Sequence, residues 1–396
     1  MKSSVVIIGA GQAGAAAAIK LRSYGHEGAI TLLGNERHAP YERPELSKAY
    51  ALGAVDFAKL IMLTPDKAKE LAIDMRLDTR VTAVNRDKRE VQTVDGPFAY
   101  DHLIFATGGA ARRIPLPDAL IRKGHTLRIR EDADHLGAAL KTAKTAAVIG
   151  GGWLGLEAAA TCRKAGLEVH VYEAAPRLCA RVAPPWLSDV LSDMHLAQGV
   201  TLHMGAMPDI RQDGTIYSEG STLTPDVVIT AIGMIAHDTL AQEAGLACDD
   251  GIIVAQKGET SDKAIFAIGD CARYPHLGNL RRESWQNANQ SADDVARLLT
   301  GQEARPIEAD WFWSNQFEHN IQMLGQCHDG DEAVIRINIQ EGSQSCFFLQ
   351  DGCLKGCISI NAPRDIGMSR AMITKGQKMD LAKLADPAIP VRGCIA

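Results

Sequence analysis

The chain has 396 residues, of which 46% are apolar and 23% charged, and its formal net charge is −6. This length exceeds what one hydrophobic core usually supports, so two or three domains are expected. The negative net charge argues against nucleic acid or an anionic membrane as the main partner.

The N-terminal apolar run, Val5 to Ile8, ends at Gly9 and is too short for an export signal. No apolar stretch in the sequence is long enough to span a membrane. The nine cysteines form no Cys-x-x-Cys pair, and we predict no metal site. A cytoplasmic protein with reduced thiols is therefore expected.

A glycine-rich turn follows this first run and opens an alanine-rich helical stretch. In the pattern of Gly9, Gly11 and Gly14, which also contains Ala13, the first glycine makes the turn and the second lets the backbone approach a pyrophosphate. The third permits close helix packing, and the helix N-terminus favours the phosphates. The pattern predicts a dinucleotide site.

A carboxylate, Glu36, follows the next apolar run, Ala29 to Leu33. A carboxylate at this position can accept hydrogen bonds from a ribose. A solvated surface glutamate is the alternative interpretation.

Further along, Leu103 to Gly108 predicts a buried strand ending in a small-residue turn, and Ile265 to Asp270 predicts a strand ending in a carboxylate. The segment Arg112 to Pro117 suits a linker between domains, and a second crossing is expected near Gly233 to Asp238.

Between these crossings the glycine pattern is repeated by Gly150, Gly152 and Gly155. Glu173 ends the strand that follows, and a carboxylate there favours NAD over NADP. Arg177, a few residues later, weakens this preference because it could bind a 2′-phosphate.

After Pro306 the sequence changes to short strands separated by Gly and Asp, namely Val334 to Ile339, Cys346 to Leu349 and Leu354 to Ile360. The predicted fold is therefore α/β, with two Rossmann-like dinucleotide-binding domains and a small α+β C-terminal domain.

The order of these segments resembles that of the two-dinucleotide flavoproteins with a glutathione-reductase-like fold. The resemblance implies FAD on the first glycine pattern, NAD(H) on the second, and Asp270 at the ribityl chain of the flavin. It implies a discontinuous FAD-binding domain over 1–112 and 236–309, an NAD-binding domain over 113–235 and a C-terminal domain over 310–396.

The segment Pro40 to Lys48 is similar to the Pro-Tyr-x-Arg-Pro-Pro-Leu-Ser-Lys segment of ferredoxin reductases that serve oxygenases, with Glu45 in place of the second proline. Leu127-Arg128, Glu283 to Ala288 and Trp311 to Gln316 match further segments of these reductases. The residues to which the glycine patterns and the resemblance assign cofactor contacts are Gly9, Gly11, Ala13, Gly14, Glu36, Arg43, Lys48, Val81, Ala106, Thr107, Gly108, Arg128, Gly150, Gly152, Leu154, Gly155, Glu157, Glu173, Gly233, Asp270 and Trp285.

The resemblance also implies the reaction. Lys48 is the expected cation near the flavin with Glu157 as its ion-pair partner, and Trp313 is expected near the flavin and nicotinamide. NADH would reduce FAD, and the electrons would pass singly to a small iron–sulfur ferredoxin of the 2Fe–2S type that serves a dioxygenase or a cytochrome P450. No cysteine precedes Cys162, so no redox dithiol is expected beside the flavin.

Other interpretations remain open at this point. An NADH oxidase or peroxidase would require a reactive cysteine near the flavin, and a flavin monooxygenase fits the segment Arg43 to Lys48 poorly. A redox-sensing flavoprotein resembling apoptosis-inducing factor would keep both nucleotide sites. An acidic ferredoxin is expected to dock on a basic surface formed by Arg281, Arg282, Arg364, Arg370 and Lys375.

Overall fold

A computed structural model describes residues 2–205, 207–218, 220–278 and 280–396. In chain order its strands are β1 Val5–Ile8, β2 Ile30–Leu33, β3 Ile73–Arg76, β4 Val81–Asn85, β5 Glu90–Thr93, β6 Gly96–Ala99, β7 His102–Phe105, β8 Gly109–Ala111, β9 Gly124–His125, β10 Thr145–Ile149, β11 Glu168–Glu173, β12 Val200–Met204, β13 Asp209–Ile210, β14 Ile216–Ser218, β15 Ser221–Leu223, β16 Val227–Thr230, β17 Met234–Ala236, β18 Ile252–Ile253, β19 Ile265–Ala267, β20 Ala272–Tyr274, β21 Leu280–Arg281, β22 Trp311–Gln316, β23 His319–Gly325, β24 Glu332–Asn338, β25 Ser343–Gln350 and β26 Cys353–Ile360.

Its α-helices are α1 Gln12–Ser23, α2 Pro65–Glu70, α3 Asp118–Ile121, α4 Arg130–Leu140, α5 Trp153–Lys164, α6 Pro185–Ala197, α7 Thr239–Glu243, α8 Trp285–Thr300, α9 Pro363–Lys375 and α10 Leu381–Ala385. Short 3₁₀ turns cover Pro44–Ser47, Phe57–Leu60, Gly269–Cys271, Pro275–Leu277 and Val391–Gly393.

The chain divides into two compact units. The first comprises Met1–Arg43, Asp56–Ala110 and Met234–Pro306, and the second comprises Pro44–Val55, Ala111–Gly233 and Ile307–Ala396. The predicted C-terminal domain falls within the second unit, as does the predicted NAD-binding domain except for Met234 and Ile235, and the predicted domain boundaries remain predictions.

The core of the first unit is a five-stranded parallel sheet in the order β19-β7-β1-β2-β3. All four residues of β1 are buried, as expected for a parallel sheet that is covered on both faces. On one face, small alanines of α1 let that helix pack closely against α8. The antiparallel strands β4-β5-β6 contribute Val81 and Val91 to the core on the other face.

The second unit contains another parallel sheet, β12-β11-β10-β16-β9, in which helix α5 follows β10. It also contains an antiparallel sheet, β22-β23-β26-β25-β24, with α9 packed on β26 and β23. Strands β24, β25 and β26 correspond to the three C-terminal strands predicted from the sequence. Two parallel sheets, each with a glycine turn and a helix, and the C-terminal α+β region confirm the predicted fold class.

No helix among the described residues has the length and apolar character needed to cross a bilayer.

Candidate functional site

The three glycines of the first turn have different roles. Gly9 has φ +114°, and a Cβ there would lie 2.2 Å from the carbonyl oxygen of Ala106. A Cβ on Gly14 would lie 1.9 Å from the carbonyl oxygen of Gly9, whereas one on Gly11 would meet nothing nearer than Arg43 Nη2 at 3.8 Å. Packing within the unit therefore requires Gly9 and Gly14, and only Gly11 leaves an open surface for a ligand to approach.

Helix α1 begins directly after this open surface. Its N-cap is Gly11, which has no side chain to accept the N–H groups of the first turn. Gln12 Nε2 donates to Asn289 Oδ1 at 3.1 Å, and the buried Gln12 Oε1 has no hydrogen-bond partner among the described residues. Unsatisfied helix N–H groups beside an open glycine fit the pyrophosphate of a dinucleotide.

Glu36 is part of a charged cluster next to the glycine turn. Its carboxylate accepts hydrogen bonds from the Tyr41 hydroxyl and from Arg43 Nη2, both at 2.6 Å. Burial alone would lower the pKa of Arg43, but Tyr41 and the carboxylates of Glu36 and Asp270 outweigh it and raise that pKa above its ordinary value. Glu36 is thus held in a network with a side-chain exposure of 28%, and the interpretation as a freely solvated glutamate is wrong.

The small-residue turn after β7 is fixed by the returning chain. Thr107 Oγ1 donates to the carbonyl oxygen of His237 at 2.6 Å, and the His237 N–H donates to the carbonyl oxygen of Gly108 at 2.9 Å. Gly108 has φ +61°, a conformation that glycine adopts readily. We call the open backbone at a middle glycine, together with the helix N-terminus that follows it, a cradle; the first lies at Gly11 and α1. The predicted contact residues Ala106, Thr107 and Gly108 form a fixed edge beside this first cradle.

Asp270 is placed beside the same turn. Gly269 has φ +68°, and a Cβ there would lie 2.9 Å from the Cβ of Ala13. The Gly269 N–H donates to Ser291 Oγ at 3.0 Å. The backbone just before Asp270 therefore packs against Ala13 of the first glycine pattern, and the contact of Asp270 with the ribityl chain remains a prediction.

The second glycine turn repeats this geometry. Gly150 has φ +111°, and a Cβ there would lie 2.4 Å from the carbonyl oxygen of Ala231. A Cβ on Gly155 would lie 2.0 Å from the carbonyl oxygen of Gly150, but one on Gly152, the N-cap of α5, would meet no atom within 4 Å. Here too only the middle glycine is open to a ligand.

The carboxylate at the end of β11 is bonded to this second turn. Glu173 accepts hydrogen bonds from the Gly151 N–H at 2.6 Å and from the Ala175 N–H at 2.7 Å. Arg177 donates to the carbonyl oxygens of Ala183 and Ala180 and to the Ser188 hydroxyl, at 2.6, 3.1 and 2.9 Å. The guanidinium that weakened the prediction of NAD preference is therefore engaged in structural hydrogen bonds.

Lys48 and Glu157 form the ion pair that the resemblance implies. Lys48 Nζ lies 3.1 Å from Glu157 Oε1, and the exposed fractions of the two side chains are 12% and 9%. Lys48 Nζ also donates to the carbonyl oxygen of Pro44 at 2.8 Å. Contacts with Glu157 and with the Pro44 carbonyl oxygen therefore hold the Lys48 ammonium in place.

The other predicted site residues have the following places in their own units. Val81 packs in the core of the first unit, and Trp285 is the first residue of α8 after its N-cap Ser284. In the second unit, the Arg128 N–H donates to Asp132 Oδ2 at 2.9 Å, and Trp313 stacks on Trp311 with ring centroids 5.0 Å apart. Leu154 lies in the first turn of α5, and Gly233 has φ +99° with open space where a Cβ would be. Cofactor contacts of these residues remain predictions.

Comparison with known proteins reveals a relationship over almost the whole chain. Residues 3–292 match the family described as pyridine nucleotide-disulphide oxidoreductase, and residues 311–395 match the reductase C-terminal domain. The chain belongs to this family.

Individual relatives of this oxidoreductase are similar over their full length. Rhodocoxin reductase from Rhodococcus erythropolis is 36% identical, with 99% of this chain and 94% of the relative covered. A 3-phenylpropionate/cinnamic acid dioxygenase ferredoxin–NAD(+) reductase component from Photorhabdus laumondii is 37% identical, with 93% and 95% covered. The crystal structure of a covalent putidaredoxin reductase–putidaredoxin complex matches with a TM-score of 0.91 at 35% identity, covering 98% of this chain and 97% of that one.

Family membership implies FAD and NAD(H) as cofactors. The two open glycine cradles fit one dinucleotide each, because each offers unsatisfied helix N–H groups beside an accessible backbone.

Although the family takes its name from disulphide chemistry, all nine cysteines of this oxidoreductase are free thiols. Burial raises the pKa of Cys162, Cys179 and Cys346 to about 12 and that of Cys248 to about 11. The pKa values of the fully buried Cys271 and Cys357 are raised by burial as well. Thiols in this state are poor nucleophiles at neutral pH.

The predicted basic docking surface requires one correction. Arg281 has a side-chain exposure of 8% and makes ion pairs with Asp250 at 3.3 Å and Glu283 at 2.8 Å. It is a structural cation of the first unit and is not available to a partner. Arg364 and Lys375 are exposed on α9, as a docking surface requires.

Sequence reasoning missed several residues of the second unit. Ser47, Ser314, Gln316 and His195 form a buried hydrogen-bonded network with Glu157. The two serines and the glutamine lie inside segments that resemble those of the ferredoxin reductases, but no motif marks His195.

Proposed function

We propose that this protein is an NADH-dependent ferredoxin reductase, which passes electrons from NADH through FAD to a small iron–sulfur ferredoxin of the 2Fe–2S type serving an oxygenase. The observation that carries this proposal is the pair of open glycine cradles in a chain whose relatives over nearly their full length include ferredoxin reductase components of dioxygenases. When bound, FAD supplies the chemistry that accepts a hydride from NADH and releases two electrons singly.

Several groups of the first unit are placed to bind FAD. The backbone at Gly11 and the N-terminus of α1 would hold the pyrophosphate, and the Glu36 carboxylate would accept a ribose hydroxyl. Arg43 neutralises the neighbouring carboxylates, and Asp270 offers an acceptor to the ribityl chain. Each group is already held by other residues of the unit, so little reorganisation is needed on binding.

Nicotinamide nucleotide binding is assigned to the second cradle. Glu173 places a carboxylate where a 2′-phosphate would be repelled, because like charges at short distance are unfavourable. The three hydrogen bonds of Arg177 to its own segment keep that cation from compensating the repulsion. These contacts favour NADH over NADPH.

The state of the thiols favours direct delivery of electrons from the flavin to the acceptor. A disulfide relay needs a thiolate, and burial keeps the affected cysteines protonated at neutral pH. This argues against an oxidase or peroxidase that uses a reactive cysteine.

Anaerobic stopped-flow mixing tests the proposal. NADH should reduce the bound flavin, and subsequent mixing with a 2Fe–2S ferredoxin should reoxidise it while the iron–sulfur spectrum bleaches. Cytochrome c reduction in a coupled assay should require the ferredoxin. Reoxidation by oxidised glutathione or dioxygen with none by any ferredoxin tried would contradict the proposed function.

A further inference from the structure

The Lys48–Glu157 pair of the second unit lies at the end of a longer buried network. Ser47 Oγ donates to Glu157 Oε2 at 2.6 Å, and Ser314 Oγ donates to Glu157 Oε1 at 2.6 Å. Together with Lys48, two hydroxyls and one ammonium therefore satisfy both oxygens of a carboxylate that is almost fully buried. A buried ion pair needs such additional hydrogen bonds to offset the loss of water.

Ser314 is itself fixed by two side chains that have no exposed surface. Gln316 Nε2 donates to Ser314 Oγ at 3.1 Å, and Gln316 Oε1 lies 2.9 Å from His195 Nε2. Ser314, Gln316 and His195 are each 0% exposed. Bulk solvent therefore does not reach these three side chains.

The short Ser314–Glu157 contact determines the direction of the hydrogen bonds from Ser314 through Gln316 to His195. The Ser314 hydroxyl must donate to the carboxylate, so its oxygen accepts from the Gln316 amide N–H. The Gln316 carbonyl oxygen then accepts from His195, which must carry its proton on Nε2. The reversed amide would take the serine proton and place two acceptor oxygens against each other at 2.6 Å.

The protonation state of His195 agrees with these hydrogen-bond directions. Burial lowers the pKa of His195, while its hydrogen bond to Gln316 partly opposes that shift, so the ring is neutral at neutral pH. Its Nδ1 has no hydrogen-bond partner among the described residues. The imidazole therefore has one hydrogen bond to make here, and it makes that bond to Gln316.

We propose that Ser314, held by Gln316 and His195, is a positioning residue that fixes the Glu157 carboxylate and through it the Lys48 ammonium. The network connects the segment Pro44–Val55 to β22 and α6 of the same unit, which are far apart in the sequence. Its relevance to catalysis rests on the proposed function, in which Lys48 is the candidate cation. Neither Ser314 nor His195 is proposed to touch a cofactor.

The experiment measures Lys48 itself, in protein stripped of nucleotides. Acylation of Lys48 by an amine-specific reagent is followed over a pH series by mass spectrometry. In Ser314→Ala, Glu157 loses one donor and can rotate away, so Lys48 should react about tenfold faster, the change expected for one lost hydrogen bond to a charged group. Ser314→Thr retains the hydroxyl and should react at nearly the wild-type rate.

Ser345→Ala is the matched control. Ser345 is also 0% exposed and donates to a carboxylate, Asp365 Oδ2, at 2.8 Å, but that carboxylate does not bind Lys48. Loss of this bond should lower thermal stability and leave the acylation rate of Lys48 unchanged. If Ser314→Ala fails to fold, Gln316→Leu provides the second variant and should accelerate acylation by a smaller factor.

An unchanged acylation rate in both Ser314→Ala and Gln316→Leu would overturn the proposal. A rise equal to that in Ser345→Ala would overturn it too, because it would reflect general loosening of the unit. Failure of the wild-type protein to reduce any ferredoxin would contradict the proposed function and leave the acylation result standing.

Discussion

Gly11 and Gly14 belong to the same turn, yet their substitution should have different consequences. Gly11→Val places its side chain in open space, with the nearest atom 3.8 Å from the new Cβ, so the fold should persist. The same side chain blocks backbone approach to a pyrophosphate, so the purified variant should be colourless. Flavin content and the melting temperature of the protein freed of flavin are the measurements.

Gly14→Ala is the contrasting variant. Its Cβ would lie 1.9 Å from the carbonyl oxygen of Gly9, so the first unit should lose stability whether or not flavin is present. Full flavin content in Gly11→Val would refute the assignment of this cradle.

Glu173 should determine the choice between NADH and NADPH. Glu173→Gln removes the negative charge and keeps an acceptor for the Gly151 or Ala175 N–H, so the turn should remain in place. The ratio of kcat/KM for NADH to that for NADPH should fall by roughly tenfold, a difference typical of one charge interaction at a binding site.

Arg177→Gln tests the same site by removing the cation instead of the carboxylate. Because Arg177 bonds to Ala183, Ala180 and Ser188, this variant should lose stability without losing activity with NADPH. A wild-type preference for NADPH that disappears in Arg177→Gln would contradict the assignment.

His195 should make the free energy of unfolding depend on pH below about 6.5. Its pKa in the folded protein lies below the ordinary value of 6.5, so the unfolded chain binds more protons just below that pH. The contribution of neutral His195 to the free energy of unfolding is fully present above pH 6.5. It is lost as the pH falls towards the pKa of the folded protein, by at most about 1.4 kcal/mol per pH unit. Denaturant unfolding at several pH values measures the slope.

His195→Gln provides the comparison. It retains an N–H donor for Gln316 but cannot titrate, so the slope below pH 6.5 should be shallower than in the wild type. Part of the slope should remain, because burial also lowers the pKa values of His26, His102 and His125. Identical slopes in the two proteins would contradict a neutral buried His195.

Among the secondary-structure elements, α9 is the candidate for ferredoxin docking. Arg364 and Lys375 are eleven residues apart on this helix, a spacing that places them on one face, and both are exposed. Arg364→Glu should raise the KM for an acidic ferredoxin several-fold at low salt, and added salt should reduce the difference because it screens exposed charges. Flavin reduction by NADH should not change.

Lys88→Glu is the control for this prediction. It makes the same kind of charge change at an exposed position in the first unit, between β4 and β5. Equal effects of the two variants on the KM for ferredoxin would indicate a dependence on net charge alone and would contradict docking on α9.

The elements that the sequence predicted well are those with strong local signals. The short, continuous apolar runs of β1, β7 and β10 are typical of buried strands, and each leads into a turn with a positive-φ glycine. The buried network around Glu157 was not predictable in this way, because its members come from four separate segments. Which side chain meets Glu157 depends on tertiary packing, and His195 in α6 looks like an ordinary polar helix residue.

The failure at Arg281 has a similar cause. Two adjacent arginines in a short segment suggest an exposed basic surface, but Asp250 and Glu283 are close enough to pair with Arg281 and cover it. Sequence spacing indicates charge density and does not reveal which charges are already neutralised by neighbours.

Across the whole molecule, electron transfer should not depend on any thiol. Alkylation of the native protein with N-ethylmaleimide should begin at the partly exposed Cys248, Cys327 and Cys353, because the other six cysteines are buried. NADH-dependent reduction of ferricyanide should remain largely intact. Alkylation after unfolding, where all nine thiols react, serves as the control for labelling.

Loss of activity in proportion to the modification of one cysteine would restore the interpretation as a peroxidase. The expected result follows from the burial of the thiols described above, since the thiolate and not the thiol reacts.

The pairing of β19 with β7 governs the order in which the two cradles can form on the ribosome. Ile265 pairs with Leu103, so the first unit cannot complete its parallel sheet until the chain has been synthesised past β19, and Asp270 and α8 come later still. Every strand of the second parallel sheet lies between Gly124 and Thr230 and emerges earlier. We therefore expect the cradle at Gly152 to form on the nascent chain before the cradle at Gly11, although the glycine turn of the latter is translated first.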